Sequence, residues 1–346
     1  MSQLRVVQWA TGNIGSRSLR HVIEHPALEL AGVYVTSAAK SGLDAADLCG
    51  LDTKTGITAT NSIDEIIELG ADCVLYMPAA CDFDDVTRLL ASGANIVTTR
   101  GEFHHPASLD PSVRARVEAA CEKWGTSIHS TGSSPGFITE ALPIVLASIQ
   151  RRLTSLAINE YADMSRRDSP DLLFNIMGYG KPPEYFDPIR FGYGAIAFGP
   201  SLRLTAEVLG LPLDEVTSTG EVAVVREDLT IAAGVIPAGT VAAQRMIVSG
   251  KRNGSEVLRF CANWYCTTDL AVEQPWDLRE TGWNVFVDGD APLDIDIRFP
   301  FPLERMGDMT PGYTANRAVN AIPYVVAAAP GIRTTADLPQ IIASLG

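Results

Sequence analysis

The sequence has no apolar run long enough to cross a bilayer. Its longest apolar stretches are Ala141–Ile149, which is too short, and Ala321–Ile332, which Pro323, Pro330 and Gly331 break. It also has no basic segment leading into an apolar one near its start. The strand-like run Leu4–Trp9 begins at once, with Arg5 the lone cation beside it. The expectation is a cytoplasmic protein with no signal peptide and no membrane partner. Positive charge is scarce, with 27 Lys and Arg against 41 Asp and Glu, a net charge of −14. No nucleic-acid partner is expected, because a phosphate backbone is not attracted to such a surface. An anionic cofactor is still allowed, since N–H groups at a helix start bind phosphate locally. The six cysteines form no C-x-x-C pair, and Cys261 and Cys266 have no histidine near them. Reduced thiols and no metal are therefore expected. There is no nucleophilic Cys–His signature, and hydrolase readings are set aside. Internal repeats and low-complexity tracts are also missing.

What is present is an ordinary globular mixture, 46% apolar and 20% charged. A length of 346 residues suggests roughly two domains. Residues 1–150 alternate strands and helices. Strands are expected at Leu4–Trp9, Leu28–Val35, Ile57–Thr60, Cys73–Met77, Asn95–Thr99 and Ser127–Ser130. Helices are expected at Gly15–His25, from Ser62 to Leu69, at Asp82–Gly93 and at Pro111–Lys123. Ser62 and Glu65 form an S-x-x-E capping box. A helix over Phe137–Gln150 follows. Residues 151–315 then read as a strand-rich domain, with strands at Leu153–Tyr161, Thr217–Val225, Val241–Ser249, Glu256–Thr267, Trp283–Val287 and Leu293–Phe299. Arg252–Ser255 is a hairpin turn, and Ser201–Leu209 a helix with Gly210 as its C-cap. Residues 316–346 form a tail whose helix, Asn316–Ala328, is apolar enough to pack on the first domain. The fold class is α/β: a Rossmann-type doubly wound parallel sheet plus a second α+β domain with a mostly antiparallel sheet.

The run W-A-T-G-N-I-G, Trp9 to Gly15, follows the first strand and opens the first helix. That is where a dinucleotide fingerprint belongs. Gly12 lets backbone approach a pyrophosphate, and Gly15 lets helix pack on strand. Thr11, Asn13 and Ile14 complete the loop. Ala10 stands where the usual first glycine would be, and a tight turn with no ligand is the other reading. The segment after the second strand, Tyr34–Lys40, carries no acid to bind a ribose 2′-hydroxyl. Thr36, Ser37 and Lys40 stand where a 2′-phosphate would lie. NADP(H) is preferred on that ground and NAD(H) possible; solvated loop residues are the alternative. Met77 and Pro78, after the fourth strand, and Gly132, Ser134 and Pro135, after the last, are further cofactor-loop candidates at the carboxyl edge of the sheet. Each can equally be a structural turn.

The segment Thr98–Pro106 reaches the same edge. Thr99 and Arg100 are candidates for the cofactor, and Glu102 for a general base that handles the proton of an amine. A solvated loop glutamate is the competing reading. His104 and His105 are adjacent, so on an extended segment they point opposite ways and do not share a metal. His129 reads as a core histidine.

The start V-V-Q-W-A-T-G-N-I-G, the block N-I-V-T-T-x-G-E-F, the loop G-S-S-P-G-F and the tail N-A-I-P-Y-V-V-A-A-A-P-G-I-x-T-x-A-D-L-P resemble one family over nearly the whole chain. It comprises the 2,4-diaminopentanoate dehydrogenases and native amine dehydrogenases, related in fold to dihydrodipicolinate reductase. The resemblance implies an NAD(P)-dependent oxidoreductase, a homodimer and a substrate pocket in the second domain. The activity implied is reversible reductive amination of a small ketone or aldehyde with ammonia, with Glu102 catalytic. Glu102 and Pro106 fit the family's E-E-L-x-Y-P stretch, where Gly101 replaces the first acid. The pocket of this family is largely apolar, so Tyr161, Met164, Phe174 and Tyr179, with Tyr193, are pocket candidates against a core-packing alternative. Asn320 and Pro323 are candidates to reach the cofactor. Two other functions stay open: a reductase of a C=N, C=C or C=O bond that uses no ammonia, and a non-catalytic nucleotide-binding sensor.

Overall fold

A computed structural model describes residues 3–344. In chain order the first elements are β1 (Leu4–Trp9), α1 (Asn13–Glu24), β2 (Leu28–Tyr34), α2 (Ala45–Cys49), β3 (Ala59–Thr60), α3 (Ile63–Glu68), β4 (Cys73–Tyr76), α4 (Phe83–Ala91), β5 (Asn95–Thr98), α5 (Pro111–Trp124) and β6 (Ser127–Ser130). After these come α6 (Leu142–Ala147), β7 (Leu153–Asp163), α7 (Pro188–Val208), β8 (Glu215–Val224), β9 (Leu229–Ile231) and β10 (Gly234–Ile236). The chain continues through β11 (Val241–Arg252), β12 (Ser255–Tyr265), β13 (Gly282–Gly289), β14 (Leu293–Arg298), α8 (Met306–Val326) and β15 (Gly331–Ile332). It divides into two units, Met1–Phe137 with Thr310–Gly346, and Ile138–Met309.

The first unit is built on a seven-stranded sheet in the order β15-β6-β5-β4-β1-β2-β3, with every pair parallel. Its strands are short and buried on both faces, so side chains alternate between two cores. Val6, Leu75 and Val97 face α1 and the last turns of α8, against Leu19, Val22, Val319, Ile322 and Val325. Val7, Val74 and Ile96 face the other way, against Val86, Leu89 and Leu90 of α4 and Val117 and Cys121 of α5. The helices start on side-chain caps. Ser62 accepts from the Glu65 N–H, Asp82 from Asp84 and Asp85, and Asp110 from Ser112 and Val113.

The second unit holds a six-stranded sheet in the order β14-β13-β7-β12-β11-β8. Only β7 and β12 run parallel; the other neighbours are antiparallel. Asn253 and Gly254 turn the β11–β12 hairpin at φ 51° and 78°, as its R-N-G-S signature requires. α7 lies on this sheet, with Phe198 stacked on Phe260 at 4.1 Å. Gly194 and Gly220 permit the close approach. A Cβ on Gly194 would lie 2.4 Å from the Ser218 hydroxyl, and one on Gly220 2.0 Å from the Phe191 ring.

Three expected helices differ from those observed. The helix expected over Phe137–Gln150 starts as a wider π-type turn through Ala141, runs on as α6 and stops at Ala147; the non-helical residues Ser134, Pro135 and Gly136 lie just before it. The helix expected at Ser201–Leu209 begins at Pro188, capped by Asp187. Its C-cap is Leu209, and Gly210 follows at φ 71°. The tail helix begins at Met306, ten residues before Asn316, and runs through Pro311. Among the described residues no helix is long and apolar enough to cross a membrane.

Candidate functional site

β1, β2, β4, β5 and β6 are parallel, so the loops that follow them share the carboxyl edge of the first sheet. Every candidate in these loops comes to that edge: Thr11–Gly15, Thr36, Ser37, Lys40, Met77, Pro78, Thr99, Arg100, Glu102 and Gly132–Pro135. Hydrogen bonds tie several loops together. Lys40 Nζ donates to the Thr11 carbonyl at 2.9 Å and to its hydroxyl at 3.2 Å. Arg100 Nη1 donates to the Ala79 carbonyl at 2.8 Å, and the Ser130 hydroxyl donates to the Arg100 carbonyl at 2.7 Å. The Ser133 and Thr314 hydroxyls are 2.7 Å apart. Thr36 and Ser37 are exposed. Asn320 sits part-buried on α8 and Pro323 is exposed there; both lie outside this network.

The phosphate loop has the shape of a glycine fingerprint without its first glycine. Ala10 takes the left-handed conformation itself, at φ 70°. Its N–H donates to the Tyr34 carbonyl at 2.8 Å, and its carbonyl accepts from Gln8 Nε2 at 2.9 Å. Gln8 Oε1 accepts in turn from the Ser18 hydroxyl at 2.6 Å, which also lies 3.3 Å from the Met77 sulfur. Gln8 and Ser18 are fully buried, and sequence reasoning passed over both. The signal was there: a glutamine inside a doubly buried strand needs a polar task.

The residues present fit a dinucleotide. No side chain caps α1, and its first turn holds no acid, so its leading N–H groups are left for an anion. Space is open where a Cβ on Gly12 would stand. On Gly15 a Cβ would meet the Ala10 carbonyl oxygen at 2.1 Å, so helix and strand close only with glycine there. The Thr131 and Ser134 hydroxyls, in the loop after β6, are buried without a partner. Unsatisfied buried donors of this kind point to a missing ligand.

Glu102 stands in the turn after β5. Its Oε1 accepts from Arg100 Nη2 at 2.7 Å, in a pair that is about two-thirds buried, while its Oε2 is buried without a hydrogen bond. Ser130 anchors the turn by accepting the Phe103 N–H at 3.1 Å, and Phe103 is fully buried. Cys81 lies near Glu102. Burial pushes its thiol up to about 12, and the neighbouring Glu102 charge adds to this, so Cys81 is not a thiolate nucleophile. His105 Nδ1 lies 2.7 Å from the Ser108 hydroxyl, and His129 Nδ1 lies 2.7 Å from the Arg333 carbonyl. Among the described residues no three His, Cys, Asp or Glu side chains cluster as a metal site would require.

In the second unit, Tyr161 of β7 lines a cleft of about 300 Å³ with Arg279, Trp283 and Arg298. Burial raises the Tyr161 hydroxyl above its ordinary value, against the opposing pull of Arg279. Met164 and Tyr179 share a buried cluster with Tyr161, and Phe174 packs at that cluster and against Gly234. Tyr193 is 68% exposed on α7.

Residues 137–346 match the family model described as the 2,4-diaminopentanoate dehydrogenase C-terminal domain. An amine dehydrogenase of Streptomyces virginiae is 29% identical over 97% of this chain and 96% of its own length. A 2,4-diaminopentanoate dehydrogenase of Acetoanaerobium sticklandii is 23% identical over 82% of this chain and 78% of its own. Among solved structures, an amine dehydrogenase from Mycobacterium smegmatis aligns with a TM-score of 0.79 at 19% identity, over 99% of this chain and 98% of that one. A probable dehydrogenase from Thermotoga maritima aligns with a TM-score of 0.58 at 13% identity, over 96% and 92%. The two structures speak to the fold. The family match covers more than half of the sequence, and the chain therefore belongs to the 2,4-diaminopentanoate dehydrogenase C-terminal domain family, a family of dehydrogenases.

Proposed function

We propose that this chain is a nicotinamide-dependent amine dehydrogenase. It converts a small ketone or aldehyde and ammonia reversibly into an amine, prefers NADP(H) and accepts NAD(H). Family membership and the relatives' names support oxidoreductase chemistry on amines. The observation that carries the amination half is the Glu102 carboxylate, braced by Arg100 on one oxygen and with its other oxygen buried and unbonded.

When bound, the cofactor exchanges a hydride with the substrate carbon. The chain's own residues hold both reactants and move protons. Backbone N–H groups at the start of α1 meet the pyrophosphate, with Gly12 leaving room for it. Lys40 supplies the cation for a 2′-phosphate, and the segment Tyr34–Lys40 carries no carboxylate to repel one. Glu102 takes a proton as ammonia adds to the carbonyl and returns one as water leaves. Its ion pair with Arg100 fixes the side chain, so that Oε2 is the atom offered to the substrate.

A panel of small ketones and aldehydes, with NADPH or NADH and with or without ammonium chloride, tests this. NADPH should be consumed only when ammonium is present. Glu102→Ala should lower amination by about 100-fold or more while NADPH still binds. Turnover that ignores ammonium supports the alternative reductase of a C=N, C=C or C=O bond. Binding of neither cofactor below about millimolar removes both enzyme readings.

A further inference from the structure

β7 puts a carboxylate where its own pattern asks for an apolar side chain. Leu156 and Ile158, on the same face, are 1% and 0% exposed, and Phe260, Ala262 and Val285 extend that face as a sealed core. Glu160 is next in the row. It pairs directly with Trp283 on β13 and with Ala262 on β12, and Trp264 follows two residues beyond Ala262 on the same side. Both indoles turn their N–H groups to the carboxylate. Trp264 Nε1 donates to Oε1 at 3.0 Å and Trp283 Nε1 to Oε2 at 3.1 Å. Phe299 stands edge-on to Trp283, with ring centroids 4.8 Å apart at 87°.

The two donors are neutral, so they orient the carboxylate without cancelling its charge. Among the described residues, none of the ion pairs involves Glu160; its carboxylate accepts from these two indoles, and its main-chain carbonyl accepts from Asn263 Nδ2 at 3.3 Å. An uncompensated carboxylate beside a core is costly, and a purely structural bridge between two indoles does not need it. A carboxylate fixed between aromatic rings is the chemistry that recognises a protonated amine, through a charge-assisted hydrogen bond and ring–cation attraction.

We propose that Glu160, Trp264 and Trp283 form a binding site for an organic ammonium ion. The site stands on the second unit alone. It rests on the amine dehydrogenase reading only for the step that makes this ion the substrate's or product's own ammonium group.

Both indoles report on the site directly. The full-length protein is titrated at constant ionic strength with butylammonium, potassium or 1-butanol, and its tryptophan fluorescence followed. A saturable change with butylammonium alone is expected, and Glu160→Gln should weaken it about ten-fold or more. An equal response to butanol or potassium, or wild-type affinity in Glu160→Gln, overturns the site. Trp264→Phe keeps the charge and carries the test if Glu160→Gln does not fold. It should still bind butylammonium with a smaller fluorescence change, and an unchanged amplitude overturns the site. A lack of ammonium-dependent turnover would remove the amination reading and leave this titration standing. Loss of the titration with turnover intact would remove only this site.

Discussion

Ala10 shows how much of a motif resides in backbone shape rather than in residue letters. A single non-glycine residue in the left-handed region costs about 1–2 kcal/mol. Here the hydrogen bonds from Gln8 and to Tyr34 hold it in place. The departure from G-x-G-x-x-G was legible in the sequence. Its harmlessness was not, because the props are a buried glutamine and a carbonyl on the next strand. Gly15 is the opposite case, since its hydrogen is the only substituent that clears the Ala10 oxygen. Ala10→Gly should therefore leave urea stability unchanged or slightly raised. Gly15→Ala should lower it by about 1–3 kcal/mol, as overpacking against backbone does, and weaken NADPH binding. If Gly15→Ala unfolds and binds like wild type, the packing account of this loop is wrong. Glu102 was legible from position alone; its brace by Arg100, only two residues away, needed the turn to be seen.

At the scale of elements, strands were easier to read than helices. A short β-branched run between caps has one reading, whereas α7 contains Gly192, Gly194, Gly199 and Pro200 and still forms a helix, because Phe191, Phe198 and Leu202 bury against the sheet. Tertiary packing overrides local propensity there. α1 carries a different consequence. His21 and His25 lie on successive turns with ring centroids 5.6 Å apart. The pKa of His21 is lowered from 6.5, by burial first and by the His25 charge second, and that of His25 is lowered by burial. A histidine whose folded value is depressed binds its proton more readily in the unfolded chain. Its stabilising share is then complete above 6.5 and is lost as pH falls from 6.5 toward the folded value. Urea midpoints measured from pH 7.5 to 5.0 should fall for the wild type and fall less steeply for His21→Gln. Parallel curves would show that this helix does not sense pH.

At the scale of the whole molecule, the first unit is assembled from both ends of the chain. Met1–Phe137 lacks part of one core face until Thr310–Gly346 returns to it. The return was legible in the apolar tail; where its helix starts was hidden by Gly307, Pro311 and Gly312. The tail contributes Val319, Ile322 and Val325, each at most 1% exposed. Burying three such side chains contributes roughly 1.5–3 kcal/mol apiece. That is of the order of a whole domain's net stability, about 5–15 kcal/mol. The tail also covers an edge. The Gly331 N–H donates to the Thr126 carbonyl at 3.0 Å, and the Arg333 N–H to the Ile128 carbonyl at 2.8 Å, so β6 is not left as an open strand. A chain cut after Met309 should therefore fail to fold its first unit and bind no NADPH by fluorescence titration, although every residue of the phosphate loop is still present. Ile322→Ala is the gentler version. It should cost about 2–5 kcal/mol in urea unfolding without touching a cofactor residue. A truncated chain that binds NADPH as the full-length protein does would mean that the first 137 residues close their own core, and that the tail is an addition to this fold rather than part of it.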